Sequence, residues 1–124
     1  ARRRRAARAD GEVSNTNGEP RGEIEMEEPK ATARVQIDDA AVRVTEYRFA
    51  PGAATGWHRH DFAYVIAPIT SGPVEIVGPG GTRTRAELIA GEAYHRPAGV
   101  EHDVVHVGSG ELRFLEIELK DRPG

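Results

Sequence analysis

Four of the five histidines fall into two short segments, and these residues have the clearest chemical potential in the sequence. His58 and His60 are separated by one residue, and His102 and His106 lie four apart further along the chain. Residues two apart share one face of a β-strand, whereas in an α-helix they point about 200° apart. If both segments are strands that face each other inside a barrel, His58, His60 and His102 can converge on one point. Three neutral imidazoles around a divalent metal ion leave coordination positions open, which is typical of catalytic metal sites.

The competing interpretation is that these histidines are ordinary core residues. A single buried histidine is more often hydrogen-bonded to the backbone than bound to a metal ion. Two pairs of histidines at strand spacing are much harder to obtain from packing alone, so the pattern favours metal binding. Because the sequence contains no cysteine, any ion must be held by nitrogen and oxygen ligands. The same absence excludes disulfides, thiolate zinc sites and cysteine nucleophiles.

The elements that must position the histidines are short strands. The sequence has 14 glycines and 8 prolines, which leave few stretches long enough for a helix of three turns. Alternating apolar and polar residues begin near residue 33 and are divided by turn residues such as those at positions 78–81. We expect one strand over residues 57–69, broken near Pro68, and a second histidine strand over residues 102–107. Roughly eight to ten short strands with closely spaced turns predict an all-β antiparallel sandwich or barrel.

The first 29 residues differ from the rest of the chain. They include five arginines among the first eight residues and four glutamates at positions 23–28, with few large apolar side chains. Such a segment cannot bury enough apolar surface to offset its ordering entropy, so we predict a disordered tail over residues 1–29. Residues 30–120 form the predicted folded domain. Met26 is the sole methionine, and we consider it a candidate for the natural first residue. Mass spectrometry of the protein from its native source would disprove this if it found peptides that precede Met26.

Charge and hydropathy limit the classes of partner. A basic arm can bind nucleic acid, but the solvated tail is the simpler interpretation, and we expect no nucleic-acid partner. No apolar run approaches the length of a membrane span, and no signal-peptide core follows the arginines. We therefore expect a cytoplasmic protein with no membrane partner, acting on a small molecule.

Two segments resemble the motifs of the cupin family. Gly52, five residues and then His58-Arg59-His60 fit the first motif, G-x5-H-x-H. Gly91, five residues and then the segment from Pro97 to His102 fit the second, G-x5-P-x-G-x2-H. The resemblance covers about residues 33–119. It implies a jelly-roll barrel, also called a double-stranded β-helix, with a metal ion near one mouth, and a homodimer.

The wording of the first histidine segment narrows the resemblance further. Residues 55–60 read Thr-Gly-Trp-His-Arg-His, and residues 64–68 read Tyr-Val-Ile-Ala-Pro. This wording is similar to the small cupins called β-alanine degradation proteins.

The chain departs from the cupin motifs at two positions. The first motif usually continues with a glutamate, where Tyr64 and Val65 stand here. Tyr64 therefore replaces that ligand, donates a hydrogen bond to a substrate or metal-bound species, or merely fills the barrel; a neutral phenol is a weak ligand. His106 replaces the asparagine that usually ends the second motif. Its spacing from His102 predicts a base or substrate contact near the metal, with direct ligation as the lesser alternative.

The remaining pocket candidates come from strand alternation. We expect Phe62, Ile66 and Val104 to supply the apolar lining of the pocket. His95 is placed where many cupins carry an inward aromatic residue, with a purely structural role as the alternative.

The function that the resemblance implies is that of a metal-dependent enzyme. We predict a non-haem Fe(II) dioxygenase that acts on a small organic acid or carbonyl compound, with one ion held by His58, His60 and His102. Zinc, nickel or manganese also fit such ligands. The alternatives are a metal-dependent isomerase, epimerase or lyase, and a non-catalytic cupin that binds or senses a small molecule.

Overall fold

The computed structural model describes residues 29–120, which form nine strands and one short 3₁₀ turn, Pro79–Gly81. No helix in this range is long and apolar enough to cross a membrane. Residues 1–28 of the predicted tail, with Met26, lie outside the described residues. In chain order the strands are β1 Thr32–Asp38, β2 Val42–Phe49, β3 His58–Arg59, β4 Ala63–Pro68, β5 Gly72–Val77, β6 Arg83–Leu88, β7 Tyr94–Arg96, β8 Glu101–His106 and β9 Leu112–Leu119.

The strands form two sheets, and every pairing between them is antiparallel. One sheet has five strands in the order β1-β2-β9-β4-β7, and the other has four in the order β3-β8-β5-β6. Neighbours in each sheet are mostly distant in sequence, as a jelly roll requires. The predicted all-β antiparallel fold is confirmed.

The core lies between the two sheets. Leu112 and Phe114 alternate on β9, so both point inward, and they are 0% and 4% exposed. The ring of Phe114 packs against Phe49 and Tyr47 on the neighbouring strand, with ring centroids 5.4 and 5.6 Å away. Each such aromatic contact stabilises the fold by about 0.5–1.5 kcal/mol beyond the burial of area. This aromatic layer holds β2 and β9 against the opposite sheet. The buried core residues are Phe49, Ala53, Tyr64, Ile66, Val74, Leu88, Leu112 and Phe114.

The turn between β5 and β6 forms where the glycines predict it. Gly80 and Gly81 have φ angles of 76° and 81°, a region that glycine enters without a steric penalty. The Gly78 amide donates to the Thr82 carbonyl at 2.8 Å and closes the hairpin. The two strands then pair along their whole length.

The prediction of one strand over residues 57–69 is wrong. The segment contains two strands, β3 and β4, which belong to different sheets. Between them, the His60 amide donates to the Val100 carbonyl at 2.9 Å, and the Gly99 amide donates to the His60 carbonyl at 2.8 Å. These bonds tie His60 to the turn before β8, and the bend at Asp61 and Phe62 then carries the chain to the other sheet. Strand alternation therefore does not continue from His58 through Phe62.

Candidate metal centre

The structure brings three histidines together at one end of the space between the sheets. His58 on β3 pairs directly with His102 on β8, and His60 follows β3. The Nε2 atom of His60 lies 3.0 Å from Nε2 of His58 and 3.2 Å from Nε2 of His102. The three rings meet edge to face, with centroids 4.7–5.2 Å apart. Three ring nitrogens thus face a common point.

The donor set fits a divalent metal ion. The Nδ1 atom of His58 lies 2.8 Å from the Gly56 carbonyl oxygen. Because a carbonyl only accepts, Nδ1 carries the proton and Nε2 presents a lone pair. Ring nitrogens that share one ion at about 2.1 Å lie about 3.0–3.4 Å apart, depending on the coordination angle. The separations of 3.0 and 3.2 Å match this range.

Asp103 holds the Gly56 backbone, which in turn orients the His58 ring. Its carboxylate accepts a hydrogen bond from the Gly56 amide at 3.0 Å. Gly56 is therefore anchored to β8, and its carbonyl is held where the His58 ring needs it. Asp103 orients the imidazole through the backbone, one step removed from the ring itself.

The local environment keeps two of the histidines neutral. Burial, with a smaller contribution from the neighbouring His58 and His102, lowers the pKa of His60 to about 4. Burial also lowers the pKa of His102 to about 4, again with a contribution from His58. Neutral imidazole is the form that binds metal ions. Near pH 7 both rings are ready to act as ligands without losing a proton.

Tyr64 lies against the cluster. Its ring stacks on His60, with a centroid distance of 3.8 Å and an angle of 16° between the planes. Only 2% of the side chain is exposed, and burial raises the pKa of the phenol above its usual value. The stacking fixes the plane of the His60 ring, and the phenol stays neutral. A neutral phenol is suited to donating a hydrogen bond.

A cavity opens beside the three histidines. Counting the part that is open to solvent, it encloses about 460 Å³. The polar and charged side chains around it, apart from the histidines, are Thr55, Tyr64, Tyr94, Arg96 and Glu116. Its apolar wall comes from both sheets and consists of Ile66, Val74, Ile76, Leu88, Val104 and Phe114.

Two residues that the sequence predicted to line the pocket lie elsewhere. Ile66 and Val104 are among the side chains that line the cavity, whereas Phe62 and His95 are not. His95 is exposed on β7, because Tyr94 and Arg96 on either side of it point into the cavity. Phe62 sits in the bend between β3 and β4.

His106 is buried but turns away from the cavity. Its side chain is 1% exposed, and Nε2 lies 2.9 Å from the Gly110 carbonyl oxygen. The Gly108 amide donates to Nδ1 at 3.3 Å, so the proton of the ring is on Nε2. Both nitrogens are thus used to close the turn between β8 and β9. This placement leaves the ring no free nitrogen for a substrate.

Sequence reasoning missed Glu116, Tyr94 and Arg96. Glu116 is 8% exposed, and burial raises its pKa to about 7, with the Glu118 charge as the second cause. Its position was available from alternation, because Glu116 has the parity of Leu112 and Phe114 on the same strand. A carboxylate in an apolar row is the signal that would have found it. For Tyr94 and Arg96, the misplaced His95 concealed the correct parity of β7.

Comparison with known proteins identifies the family. The family model described as Cupin domain matches residues 45–118. The chain belongs to the cupin family. It is also 51% identical over 92 residues to the Beta-alanine degradation protein BauB of Pseudomonas aeruginosa. That match covers 74% of this chain and 96% of the relative. Both resemblances drawn from the sequence are confirmed.

Solved cupin structures agree with the fold. A cupin domain from Bordetella pertussis is 46% identical with a TM-score of 0.75, covering 78% of this chain and all of that one. The polyketide cyclase RemF from Streptomyces resistomycificus is 28% identical with a TM-score of 0.59. That likeness covers 78% of this chain and 72% of RemF. Cupins that differ this much in sequence therefore share the architecture seen here.

Proposed function

We propose that this cupin is a metal-dependent enzyme in which His58, His60 and His102 hold one divalent ion, with Fe(II) favoured. The observation that carries the proposal is the convergence of three Nε2 atoms, 3.0 and 3.2 Å apart, beside a cavity. The His58 proton bonded to Gly56 adds support, because it leaves the lone pair on the converging atom. When bound, such an ion polarises a substrate oxygen, and iron in addition gives access to O2.

The cavity suits a small organic acid or carbonyl compound. Arg96 is the cationic side chain among the lining residues, and its guanidinium lies 4.7 Å from the centroid of the Tyr94 ring. A guanidinium in this position can pair with a carboxylate at the open end of the cavity. The apolar wall opposite excludes water from the carbon chain of the ligand. The name of the relative BauB refers to the degradation of β-alanine, a small organic acid.

The two phenols in the cavity supply hydrogen bonds. Burial raises the pKa of Tyr64 and of Tyr94, so both hydroxyls remain protonated at neutral pH. Tyr64 is packed on a ligand histidine, so its hydroxyl is held at a defined place relative to the centre. We assign Tyr64 the role of donating to a substrate oxygen. His106 has no part in this scheme.

The favoured reaction is a dioxygenation, in line with the three-histidine centre. A second candidate is proton transfer without oxidation, as in an isomerase, epimerase or lyase. The likeness to RemF supports it, because the name of that protein describes a cyclisation. Both reactions use the same residues, and they differ in whether O2 is consumed.

The test is an activity screen on protein purified without oxygen and reconstituted with Fe(II). A panel of C2–C5 hydroxy, amino and oxo acids is added, and O2 uptake is recorded together with exchange of C–H protons in D2O. Uptake that depends on an acid, and that is lost in His102→Ala, is the expected result. Exchange without uptake would favour the second candidate. Bound iron with neither signal would leave a binding or sensing cupin and contradict the enzymatic proposal.

A homodimer and a cytoplasmic location belong to the same proposal. Two half-buried apolar side chains that lie opposite each other on the outer face of the five-stranded sheet, Ile117 and Val65, support the dimer. Light scattering of the purified protein tests the dimer, and fractionation of native cells tests the location. A monomer at micromolar concentration would contradict the first expectation.

A further inference from the structure

Glu116 is a buried carboxyl group in the wall of the cavity that the scheme above does not use. It is 8% exposed, and within residues 29–120 no side chain or backbone group donates a hydrogen bond to it. A buried acceptor without a donor is costly, since leaving it unsatisfied destabilises the fold by about 1–3 kcal/mol. Native proteins keep very few such groups, and those that persist have a reason. Here the missing donor points to a ligand.

The surroundings of Glu116 show which direction the ligand must come from. On the same inward face Glu118 is engaged by Arg43, so Glu118 does not need a further partner. Ligand atoms of Glu116, Glu118 and His60 lie within 4.8 Å of one another, which places the carboxyl group beside the metal centre. Glu116 lines the cavity, whereas Glu118 does not. The free acceptor is therefore reached through the cavity.

Two tyrosine side chains, Tyr64 and Tyr94, line the same cavity as Glu116. Burial raises the pKa of both phenols, and the charge of Glu116 adds a smaller contribution in the same direction. A phenol oxygen can accept a hydrogen bond as well as donate one. A carboxyl acceptor in the same cavity wall as two phenols is complementary to a hydroxyl or an ammonium group. It is poorly suited to a bare methyl group or to a second carboxylate.

We propose that Glu116, in the same cavity wall as Tyr64 and Tyr94, is the specificity-determining residue that accepts a hydrogen bond from a hydroxyl or amino group of the substrate. The assignment deepens the proposed function, on which it rests only in taking the cavity as the substrate site. It narrows the substrate class to small acids that carry a hydrogen-bond donor away from the carboxylate. Arg96 at the exposed end would then bind the carboxylate of the substrate, and Glu116 at the buried end would bind its hydroxyl or amino group.

Calorimetric binding of three matched probes to the Zn²⁺-loaded protein tests the assignment. Propionate lacks the donor, 3-hydroxypropionate carries a hydroxyl group and β-alanine carries an ammonium group on the same carbon. Hydrogen bonds to charged groups discriminate by about 10–100-fold, so at least one donor-bearing acid should bind more tightly than propionate by that factor. Equal affinities within about two-fold, or no binding of either donor-bearing acid, would overturn the proposal.

Variants of Glu116 separate the two kinds of donor. Glu116→Leu should reduce both preferences to about one, because it removes the acceptor. Glu116→Gln keeps a neutral acceptor, so a preference for the hydroxyl acid should persist in part, whereas a preference for the ammonium acid should be lost. Glu46→Gln is the matched control, since it is the same substitution on the neighbouring strand and the opposite face of the sheet. A Glu116→Leu variant that folds, as shown by its circular dichroism, and keeps the wild-type preference would overturn the proposal.

The metal content of the same samples distinguishes this idea from the proposed function. Both Glu116 variants should retain the ion, because the three histidines remain. If wild-type protein bound no metal at all, the proposed function would fail. In that case the affinities of the three acids for chelator-treated protein would still test the role of Glu116 independently of the metal ion.

Discussion

Two buried glutamates lie on neighbouring strands of the five-stranded sheet and have opposite environments. Glu46 on β2 is 2% exposed, and Glu116 on β9 is 8% exposed. In the pairing of the two strands Glu116 lies opposite Thr45 and Glu46 opposite Leu115, so the two carboxyl groups point to opposite faces of the sheet. Glu46 faces outward, away from the core, and Glu116 faces the cavity. The two carboxyl groups therefore lie on opposite sides of the same sheet, and only Glu116 lines the cavity.

The partners of the two groups show what the difference means. Glu46 accepts hydrogen bonds from Arg113 at 2.7 and 3.0 Å and from Arg34 at 2.9 Å. These bonds, that of Arg113 foremost, hold its pKa below the usual value. Glu116 has no such donor within the described residues, and burial raises its pKa to about 7. A paired carboxylate is a structural group, whereas an unpaired one in a cavity is a candidate for function.

The largest expected effect is a pH-dependent gain in stability for Glu116→Gln. The unfolded carboxyl group releases its proton near pH 4.5 and the folded one only near pH 7. Between these values the folded state binds more protons, so the wild-type free energy of unfolding falls as pH rises. From pH 4.5 to 8 the variant should gain about 3 kcal/mol relative to wild type, a figure obtained from the difference in pKa. Urea denaturation of chelator-treated protein measures this, and a pH-independent difference would contradict the assigned environment.

Glu46→Gln should show the opposite slope and a smaller effect. The pKa of Glu46 is lowered in the folded protein, so its stabilising contribution is present above pH 4.5 and is lost as pH falls further. We expect the variant to have a lower melting temperature than wild type at pH 7, and the difference to shrink as the pH falls below 4.5. The size is limited because the arginines around Glu46 reach solvent. A variant that melts with wild type at pH 7 would remove the contrast between the two glutamates.

The arginines around Glu46 should rank by geometry. Arg113 makes two bonds to the carboxylate and is 31% exposed, whereas Arg48 lies 3.5 Å away and is 49% exposed. Arg113→Gln should therefore lower the free energy of unfolding more than Arg48→Gln does. For Arg48→Gln we expect a decrease of about 0.2–1 kcal/mol or less, as for other exposed ion pairs. Thermal denaturation of the two variants in parallel measures the order. The reverse order would mean that packing by the arginine stems, and not charge, covers Glu46.

The fold could be predicted from sequence because its signals are local. Glycine and proline mark most strand ends, and two motifs with fixed spacing identify the family before any coordinate is used. The prediction of one strand over residues 57–69 was wrong because no residue in that segment signals that the chain passes from one sheet to the other. His60 is held by bonds to Gly99 and Val100, about forty residues away, and nothing in its own neighbourhood reveals them.

The candidate site could be predicted only where spacing decides it. His58, His60 and His102 meet because the second motif brings His102 opposite His58 in a strand pair. His106 was expected at the same site because it shares strand parity with His102. The carbonyl of Gly110 and the amide of Gly108 instead hold its ring in a turn. Glu116 was overlooked because a glutamate is expected on a surface, and its burial depends on strands far away in sequence.

The central claim is that three histidines bind one metal ion, and metal analysis of two variants tests it most directly. His102→Ala and His106→Ala remove the same group from two ends of β8, one inside the cavity and one outside it. After anaerobic reconstitution with Fe(II) and desalting, plasma mass spectrometry should find about one ion per chain in wild type and in folded His106→Ala. His102→Ala should retain almost none. A full complement of metal in folded His102→Ala, or its loss from folded His106→Ala alone, would contradict the account.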